Sequence, residues 1–371
     1  MSRARTLARR GLPILLLLLL LGGFWMWQRF LWVFFVKPGP GGPHWQAPIL
    51  AVAGSDQGES GFLDGRGTQA RLAKPIRLAR LDADRLVFAD INNHAVRVLH
   101  RDGTVTTLGG GPDRKGHQDG PAAQARFSSP HGVAVRGDGA IAVAEVSNHT
   151  IRLLTPGPGG YVVTTLAGRP GSSGFGDGPA AQARFSSPHA VLWGPSGELY
   201  VADIGNARVR CLRDGQVRTV AGTGSRGEAD GASGTLNWPM DLALDGAGGL
   251  WIADCGSLKI RRWQPGVGLE TPFSGRLAMP HGIATTPGHL LVAEMNGQRI
   301  LAFDRRTGAV STLCGTTEKG CDDRRLNRPA ALLVEGADLW IADLYNHRLV
   351  KVVLPVALQG QGGARPPVSG S

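Results

Sequence analysis

Six segments of this chain share one pattern, in which a proline opens an apolar stretch and an acidic residue closes a second one 14 or 15 positions later. They are Pro75–Asp90, Pro130–Glu145, Pro188–Asp203, Pro239–Asp254, Pro280–Glu294 and Pro329–Asp343. The distance from one of these prolines to the next varies between 41 and 58 residues, so nearly all variation falls after the acidic residue. A fixed spacing is typical of paired strands and a variable one of loops. The chain therefore contains six copies of one β unit.

The third copy indicates what each unit contains. Residues 189–193 are an apolar strand and 198–203 a second one, separated by the turn residues Gly-Pro-Ser-Gly. Residues 207–212 alternate between apolar and polar side chains, as expected of a third strand. Residues 216–222 form a fourth strand after the turn Arg-Asp-Gly. Four antiparallel strands in each of six repeats predict an all-β, six-bladed β-propeller.

The sixth unit stops after its third strand, near Leu354. It lacks the small-residue stretch that ends the other units, such as Phe273–Gly275 in the fourth. A matching stretch, Ile49–Gly54 (ILAVAG), precedes the first unit. We expect it to complete the sixth blade, because closure of the ring removes exposed strand edges. The propeller then spans residues 45–356, and the Gly- and Pro-rich residues 357–371 are expected to be a disordered tail.

Several stretches resemble the NHL-repeat family of propellers. They are VFADINNHAVRV (87–98), VAEVSNHTIRL (143–153), YVADIGNARVR (200–210) and IADLYNHRLVK (341–351). The inter-unit stretches GFLDGRGTQARLAKP, GHQDGPAAQARFSSP and GFGDGPAAQARFSSP are similar too. This resemblance covers about residues 49–354 and implies the six-bladed fold. It implies no single activity, because such propellers host unrelated functions.

The N-terminal sequence predicts a membrane anchor. Residues 12–36 contain only Gln28 and Arg29 as strongly polar side chains, a span long enough for one transmembrane helix if Arg29 snorkels. Four arginines precede it, so residues 1–11 are predicted to be a cytoplasmic basic tail, 37–44 a linker, and the propeller periplasmic or extracellular. The alternative is a cleaved signal peptide, whose nearest small-residue site, Ala51–Ala53, falls inside the closing strand.

Charge and cysteine content narrow the function classes. Six of the 40 Lys and Arg residues, and none of the 29 acids, lie in residues 1–37, so the rest of the chain carries a net charge of only +5. A nucleic-acid partner is therefore not expected.

Of the four cysteines, Cys314 and Cys321 lie seven positions apart across a loop and are candidates for a disulfide. The chain lacks C-x-x-C, G-x-S-x-G, Walker A and H-E-x-x-H motifs.

The six acids that close the repeats form a predicted ring at one end of the propeller. They are Asp90, Glu145, Asp203, Asp254, Glu294 and Asp343. One interpretation is a carboxylate site for a cation such as calcium, or for acid–base chemistry. The other is structural, since a feature common to all units builds the fold, and each acid would then accept hydrogen bonds from backbone amides and pair with a nearby base. The candidate bases lie five or seven positions later and are Arg97, Arg152, Arg208, Lys259, Arg299 and Arg348.

Three units carry histidine directly after the proline: His131, His189 and His281. Because the first strand is innermost, these side chains should surround the mouth of the central channel, where three imidazoles could bind zinc. The Pro-His motif also resembles that of peptidylglycine amidating lyase, another six-bladed propeller, which implies zinc at these histidines. In the lyase the histidines come from alternate blades, whereas here they fall in blades two, three and five. The alternative is that they pack as polar side chains at the channel mouth.

These patterns leave two function classes open. The first is a membrane-anchored binding, sensor or scaffold module that takes a protein, peptide or small-molecule ligand on the face with the long loops, since loops carry function more often than cores. The second is a metal-dependent enzyme, lyase-like or hydrolase-like, that uses the histidines and acids with zinc or calcium. No cofactor is required by the first.

Overall fold

The computed structural model describes residues 45–359 and folds them into six antiparallel sheets, arranged as the six blades of a propeller. Three sheets have four strands, and three have a short fifth strand at the outer edge. The first strands of all six blades line a central channel. The predicted all-β, six-bladed architecture is confirmed.

The strands follow the repeat pattern closely. Blade one contains Pro75–Arg80, Arg85–Asp90, Ala95–His100 and Thr104–Gly110. Blade two contains Pro130–Val135, Ile141–Glu145, Thr150–Gly157 and Gly160–Ala167. Blade three contains Pro188–Trp193, Leu199–Asp203, Arg208–Arg213 and Gln216–Ala221. Blade four contains Pro239–Leu244, Leu250–Asp254, Lys259–Gln264 and Gly268–Glu270. Blade five contains Pro280–Thr285, His289–Glu294, Arg299–Asp304 and Val310–Gly315. Blade six contains Pro329–Glu335, Asp338–Asp343, Arg348–Val353 and Leu50–Gly54.

Short edge strands and 3-10 turns add to the main strands of the blades. The fifth strands at the outer edges of blades one to three are Gly65–Arg66, Gly120–Pro121 and Gly178–Pro179. Short 3-10 turns are Gly67–Gln69, Ile91–Asn93, Pro112–Arg114, Ile204–Asn206, Cys255–Ser257 and Leu344–Asn346. In blade four the outer strand is Gly268–Glu270 and stops before Phe273–Gly275, the stretch predicted to end it, because pairing with Lys259–Gln264 ends at Glu270.

The ring closes as predicted. The strand Leu50–Gly54 runs antiparallel to Arg348–Val353, with Leu50 opposite Lys351 and Gly54 opposite Arg348. Ile49 and Ala53 are only 4% and 1% exposed, and they pack into two different core clusters. The N-terminal strand thus joins the sixth blade to the rest of the core as well as capping its edge.

The two ends of the propeller differ. In every blade the first proline lies opposite the acid that ends the second strand, as Pro75 does with Asp90. The inter-blade loops enter at this end, which we call the loop-rich face. The opposite end, the tight-turn face, holds short connections such as residues 136–140 and 213–215.

The chain ends add little to the described structure. The predicted tail begins with helix Val356–Gln359, whose Leu358 is 1% exposed, so residues 357–359 are not disordered. The predicted transmembrane segment, residues 12–36, lies outside the described residues together with 1–11, 37–44 and 360–371. Among residues 45–359 no helix has the length and apolar character needed to cross a membrane.

Candidate functional site

The acid ring is buried beneath the loop-rich face. The side chains of all six acids, Asp90, Glu145, Asp203, Asp254, Glu294 and Asp343, are completely inaccessible to solvent. Each accepts a hydrogen bond of 2.7–2.8 Å from the backbone N–H of the residue two positions before its blade proline, as Asp203 does from Ser186. The acids therefore fasten the loop that enters each blade.

Each acid also pairs with a buried or nearly buried arginine. Asp90 meets Arg97 at 2.9 Å, and the remaining pairs are Glu145–Arg152, Asp203–Arg210, Asp254–Arg261, Glu294–Arg299 and Asp343–Arg348. The predicted bases Arg208 and Lys259 are wrong. Arg208 donates to the carbonyl oxygens of Asn206 and Thr223, and Lys259 pairs with Glu228. In blades three and four the acid pairs instead with the arginine that lies seven positions later in the sequence.

A second carboxylate completes the network in blades one to four. These are the aspartates of the Asp-Gly or Asp-Gly-like loops, Asp64, Asp119, Asp177 and Asp230, each of which binds the buried arginine of its blade. Their side chains are 37–49% exposed, whereas the arginines are 0% exposed. Each arginine thus links an inter-blade loop to the sheet. Because its carboxylates are committed to these contacts, the ring is structural.

The histidines of the bends have a structural role as well. The Nδ1 atoms of His94, His149 and His347 accept hydrogen bonds of 3.0–3.1 Å from the residue before the proline of the next blade. His347 reaches Lys74 in this way and so bridges the closure between blades six and one. Gln298 does the same for Arg328 through its side-chain oxygen. These histidines therefore bond the backbone of the loops that enter the next blades.

The three post-proline histidines do meet at the channel mouth. The ring centroids of His131 and His189 are 4.6 Å apart, and those of His189 and His281 are 5.2 Å apart. Together with Ile76 and Met240 they line a cavity of about 10 Å³. In blades two, three and five a β-bulge at the start of the first strand releases the residue after the proline from regular pairing, which explains why these side chains turn toward the axis.

Their hydrogen bonds fix the tautomer. Nδ1 of His131 donates to the carbonyl of Ser129 at 3.1 Å, and Nδ1 of His281 donates to that of Ala330 at 2.7 Å. Nδ1 of His189 donates to Met240 O at 2.9 Å. Each Nε2 is therefore the unprotonated nitrogen.

The predicted zinc or calcium site is not formed. Within residues 45–359 no group of three or more His, Cys, Asp or Glu side chains is placed to hold a metal ion. The imidazoles of His131 and His189 lie tilted against one another at 53°, and those of His189 and His281 meet edge to face. The three histidines come from blades two, three and five, so they are not evenly spaced around the ring. The six carboxylates that the metal-dependent alternative would use are engaged by arginines in the described structure.

Burial makes these histidines acid-sensitive elements of the fold. Desolvation lowers the pKa of His131 and His281 from 6.5 to about 4, and that of His189 well below 6.5. The unfolded chain takes up protons below pH 6.5, while the folded chain does so only near pH 4. Their contribution to stability is thus complete above pH 6.5 and is lost as the pH falls through 4.

We expect the free energy of unfolding to fall between pH 6.5 and 4 by about 1.4 kcal/mol per pH unit for each of these histidines. The variant H131Q/H281Q keeps a donor for each carbonyl but cannot titrate, so its stability should change less over this range. Urea unfolding at several pH values measures the slopes. His100→Gln, outside the channel, is the control, and equal slopes for the double variant and the parent chain contradict the prediction.

A cross-channel ion pair lies directly below the histidines, and sequence reasoning missed it. Arg77 of blade one binds Asp241 of blade four through both carboxylate oxygens. Asp241 is 2% exposed and also accepts the N–H of Ile283 at 2.9 Å. Both residues lie two positions after their proline, where the other blades carry Gly132, Ala190, Gly282 and Ala331. The sequence signal was available at this position: two blades, three apart in the ring, carry opposite charges where the other four carry small residues.

The cysteines are free thiols. Cys314 is buried, and Cys321 donates from Sγ to the carbonyl of Asp56 at 3.3 Å. The predicted disulfide between them is not formed in the structure. Cys255 is buried and Cys211 half-buried.

Comparisons with known proteins agree with this architecture. No protein-family model matches the chain. The human NHL repeat-containing protein 2 is 25% identical over 327 residues, which cover 72% of this chain and 44% of that protein. A Bacteroides thetaiotaomicron protein of unknown function superposes with a TM-score of 0.61 at 17% identity, covering 82% of this chain and 75% of its own. The chain folds as a six-bladed β-propeller and is similar to NHL-repeat proteins.

An enzyme shares the same fold. A gluconolactonase from Xanthomonas campestris superposes with a TM-score of 0.57 at 16% identity over 85% of this chain and 99% of its own, a likeness of fold alone. The chain spans less than half the length of the human relative. The fold supports a binding or scaffold role.

Proposed function

We propose that this propeller is a binding module that holds an acidic protein segment on its loop-rich face. The observation that carries the proposal is the rim, which we define as the six residues that precede the blade prolines. They are Lys74, Ser129, Ser187, Trp238, Met279 and Arg328. The rim surrounds the channel at the loop-rich face, since each member directly precedes an innermost strand.

The rim combines a constant backbone with variable side chains. All six residues have φ between 52° and 63°, a left-handed conformation that side-chain-bearing residues rarely adopt. Its presence in every blade marks it as part of the fold. The side chains differ, with serine in blades two and three and large residues in blades four, five, six and one. Such unrepeated, solvent-reaching positions are where specificity for a partner can reside.

Three of the large rim residues, Lys74, Arg328 and Trp238, form a cationic and aromatic surface with neighbouring side chains. Tyr345, 37% exposed, lies between Lys74 and Arg328, with each cation 4.8 Å from the ring centroid. Trp238 is 40% exposed and has Arg226 at 5.5 Å. Within residues 45–359 neither Lys74 nor Arg328 forms an ion pair, in contrast to the arginines of the buried network.

This chemistry fits a protein segment that carries carboxylates beside apolar side chains. Unpaired cations gain most from an acidic partner, and exposed tyrosine and tryptophan are typical of the residues that dominate binding energy at protein interfaces. The ring of Tyr345 already orients both cations, so little side-chain conformational entropy is lost when a partner binds.

Photo-crosslinking from Tyr345, which contacts two rim residues, tests the proposal in cells. We expect a photoreactive phenylalanine analogue at Tyr345 to give a discrete adduct with a protein partner. The same analogue at Tyr161, on the outer strand of blade two near the tight-turn face, should not give that adduct. Identical adducts from both positions, or none from Tyr345, count against a partner on the loop-rich face.

The proposal includes the membrane anchor of residues 12–36, with the propeller outside the cytoplasm. What supports it is the apolar length of this segment and the four arginines before it. A tether of this kind would hold the rim at a bilayer surface and raise the local concentration of membrane-associated partners. Protease added to spheroplasts should digest the propeller, and its protection there argues against this orientation.

A further inference from the structure

We infer that the tight-turn end of the central channel is a second binding site, for an uncharged, largely apolar small molecule with one carbonyl-type acceptor. The site goes beyond the proposed partner surface, because it lies at the other end of the channel and shares no residue with the rim. The channel there forms a cavity of about 400 Å³, which falls within the usual size range of small-molecule pockets.

The cavity has apolar walls. The second halves of all six innermost strands line it, with side chains such as Val133, Leu192, Leu244 and Leu333. Several of these residues are only half-buried although they lie inside the ring, so the cavity leaves apolar surface accessible. Covering that surface with an apolar molecule is favourable because it removes the surface from water.

Arg77 forms the polar floor of the cavity. It lines both this cavity and the small histidine cavity above, so the bridge with Asp241 divides the channel in two. A guanidinium has five N–H donors, and among the described residues two of those of Arg77 are engaged, both by Asp241. Donors therefore remain for a ligand.

The charge of this floor selects the ligand class. Asp241 neutralises Arg77, and the three histidines above are neutral because burial lowers the pKa of each. A carboxylate or sulfonate placed here would lose its hydration and would also face Asp241. A carbonyl oxygen needs only the unused N–H donors, and its apolar body fits the walls.

Three probes built on one bicyclic cage test this assignment: camphor, which has a carbonyl, bornane, which lacks it, and camphorsulfonate, which is anionic. Saturation-transfer NMR on the full-length chain in nanodiscs, with empty nanodiscs subtracted, measures binding. We expect saturable 1:1 binding of camphor, with bornane and camphorsulfonate at least tenfold weaker. Absence of saturable camphor binding overturns the site, and tighter binding of camphorsulfonate overturns the ligand class.

Variants locate the binding. Ala79→Phe places a ring at a half-buried wall position and should weaken camphor binding at least tenfold, whereas Ala123→Phe, at an exposed position beside the outer edge of blade two, should leave it unchanged. R77M/D241N removes both charges together and should abolish the preference for camphor over bornane while both still bind. Unchanged camphor affinity in Ala79→Phe, or an unchanged preference in R77M/D241N, overturns the proposal. Melting temperatures establish that each variant is folded, and partner crosslinking from Tyr345 reports separately on the rim.

Discussion

Deleting residues 45–54 should lower the melting temperature of the propeller by at least about 10 °C or abolish its cooperative unfolding. The deletion removes the outer strand of blade six and the buried side chains of Ile49 and Ala53. It leaves the strand Arg348–Val353 as an open edge, with a combined loss on the order of 5 kcal/mol. Such a loss is comparable to the whole stability of many domains.

Deletion of residues 360–371 is the matched control, since these follow the last described helix. Differential scanning calorimetry of the two deletion variants and the full chain gives the comparison. If both deletions leave the melting temperature equally unaffected, the closing strand does not support the ring in the way its pairing implies.

Replacing an acid of the buried ring should unfold the protein rather than remove an activity. In Asp203→Ala the side chain of Arg210, which is 0% exposed, loses a partner at 2.8 Å, and the N–H of Ser186 loses its acceptor. Breaking a buried pair from one side costs about 3–5 kcal/mol. Asp177→Ala leaves Arg210 paired with Asp203 and removes a carboxylate that is 37% exposed, so we expect a loss of about 1 kcal/mol.

Urea unfolding of the two single variants measures this difference in the free energy of unfolding. The opposite pattern, in which Asp203→Ala is as stable as the parent chain but loses binding of a ligand, contradicts a structural ring and restores its carboxylates as a functional site.

The architecture could be predicted from the sequence because the repeat fixes it. The constant distance from Pro188 to Asp203 reflects two strands of one hairpin, and the missing last strand of blade six pointed to Ile49–Gly54. Blade four departs from the pattern, since its outer strand is only Gly268–Glu270. There the chain is shortest between prolines, and the small-residue stretch at Phe273–Gly275 lies in the loop.

The arginine partners show where spacing alone is insufficient. In blades one to four the buried arginine lies seven positions after the acid, and the entering loop supplies a second carboxylate such as Asp177. In blades five and six the paired arginine lies five positions after the acid, as Arg299 does. Reading the loop together with the strand distinguishes Arg210 from Arg208, whereas the nearest base does not.

The site itself was only partly predictable. The three histidines were correctly placed at the channel mouth, but whether their lone pairs converge depends on ring orientation, which the carbonyls of Ser129, Met240 and Ala330 decide. The Arg77–Asp241 bridge joins residues 164 positions apart, and it becomes visible only when equivalent positions are compared around the ring.

The central claim is that the repeated residues build the ring and the unrepeated rim binds a partner. Its most direct test is the equilibrium affinity of the partner crosslinked at Tyr345 for the charge-reversal variant K74E/R328E. The control, R213E/R218E on blade three, makes the same change in net charge away from the rim. We predict at least tenfold weaker binding for K74E/R328E alone, with its melting temperature unchanged. Equal affinities for the two variants would contradict the claim.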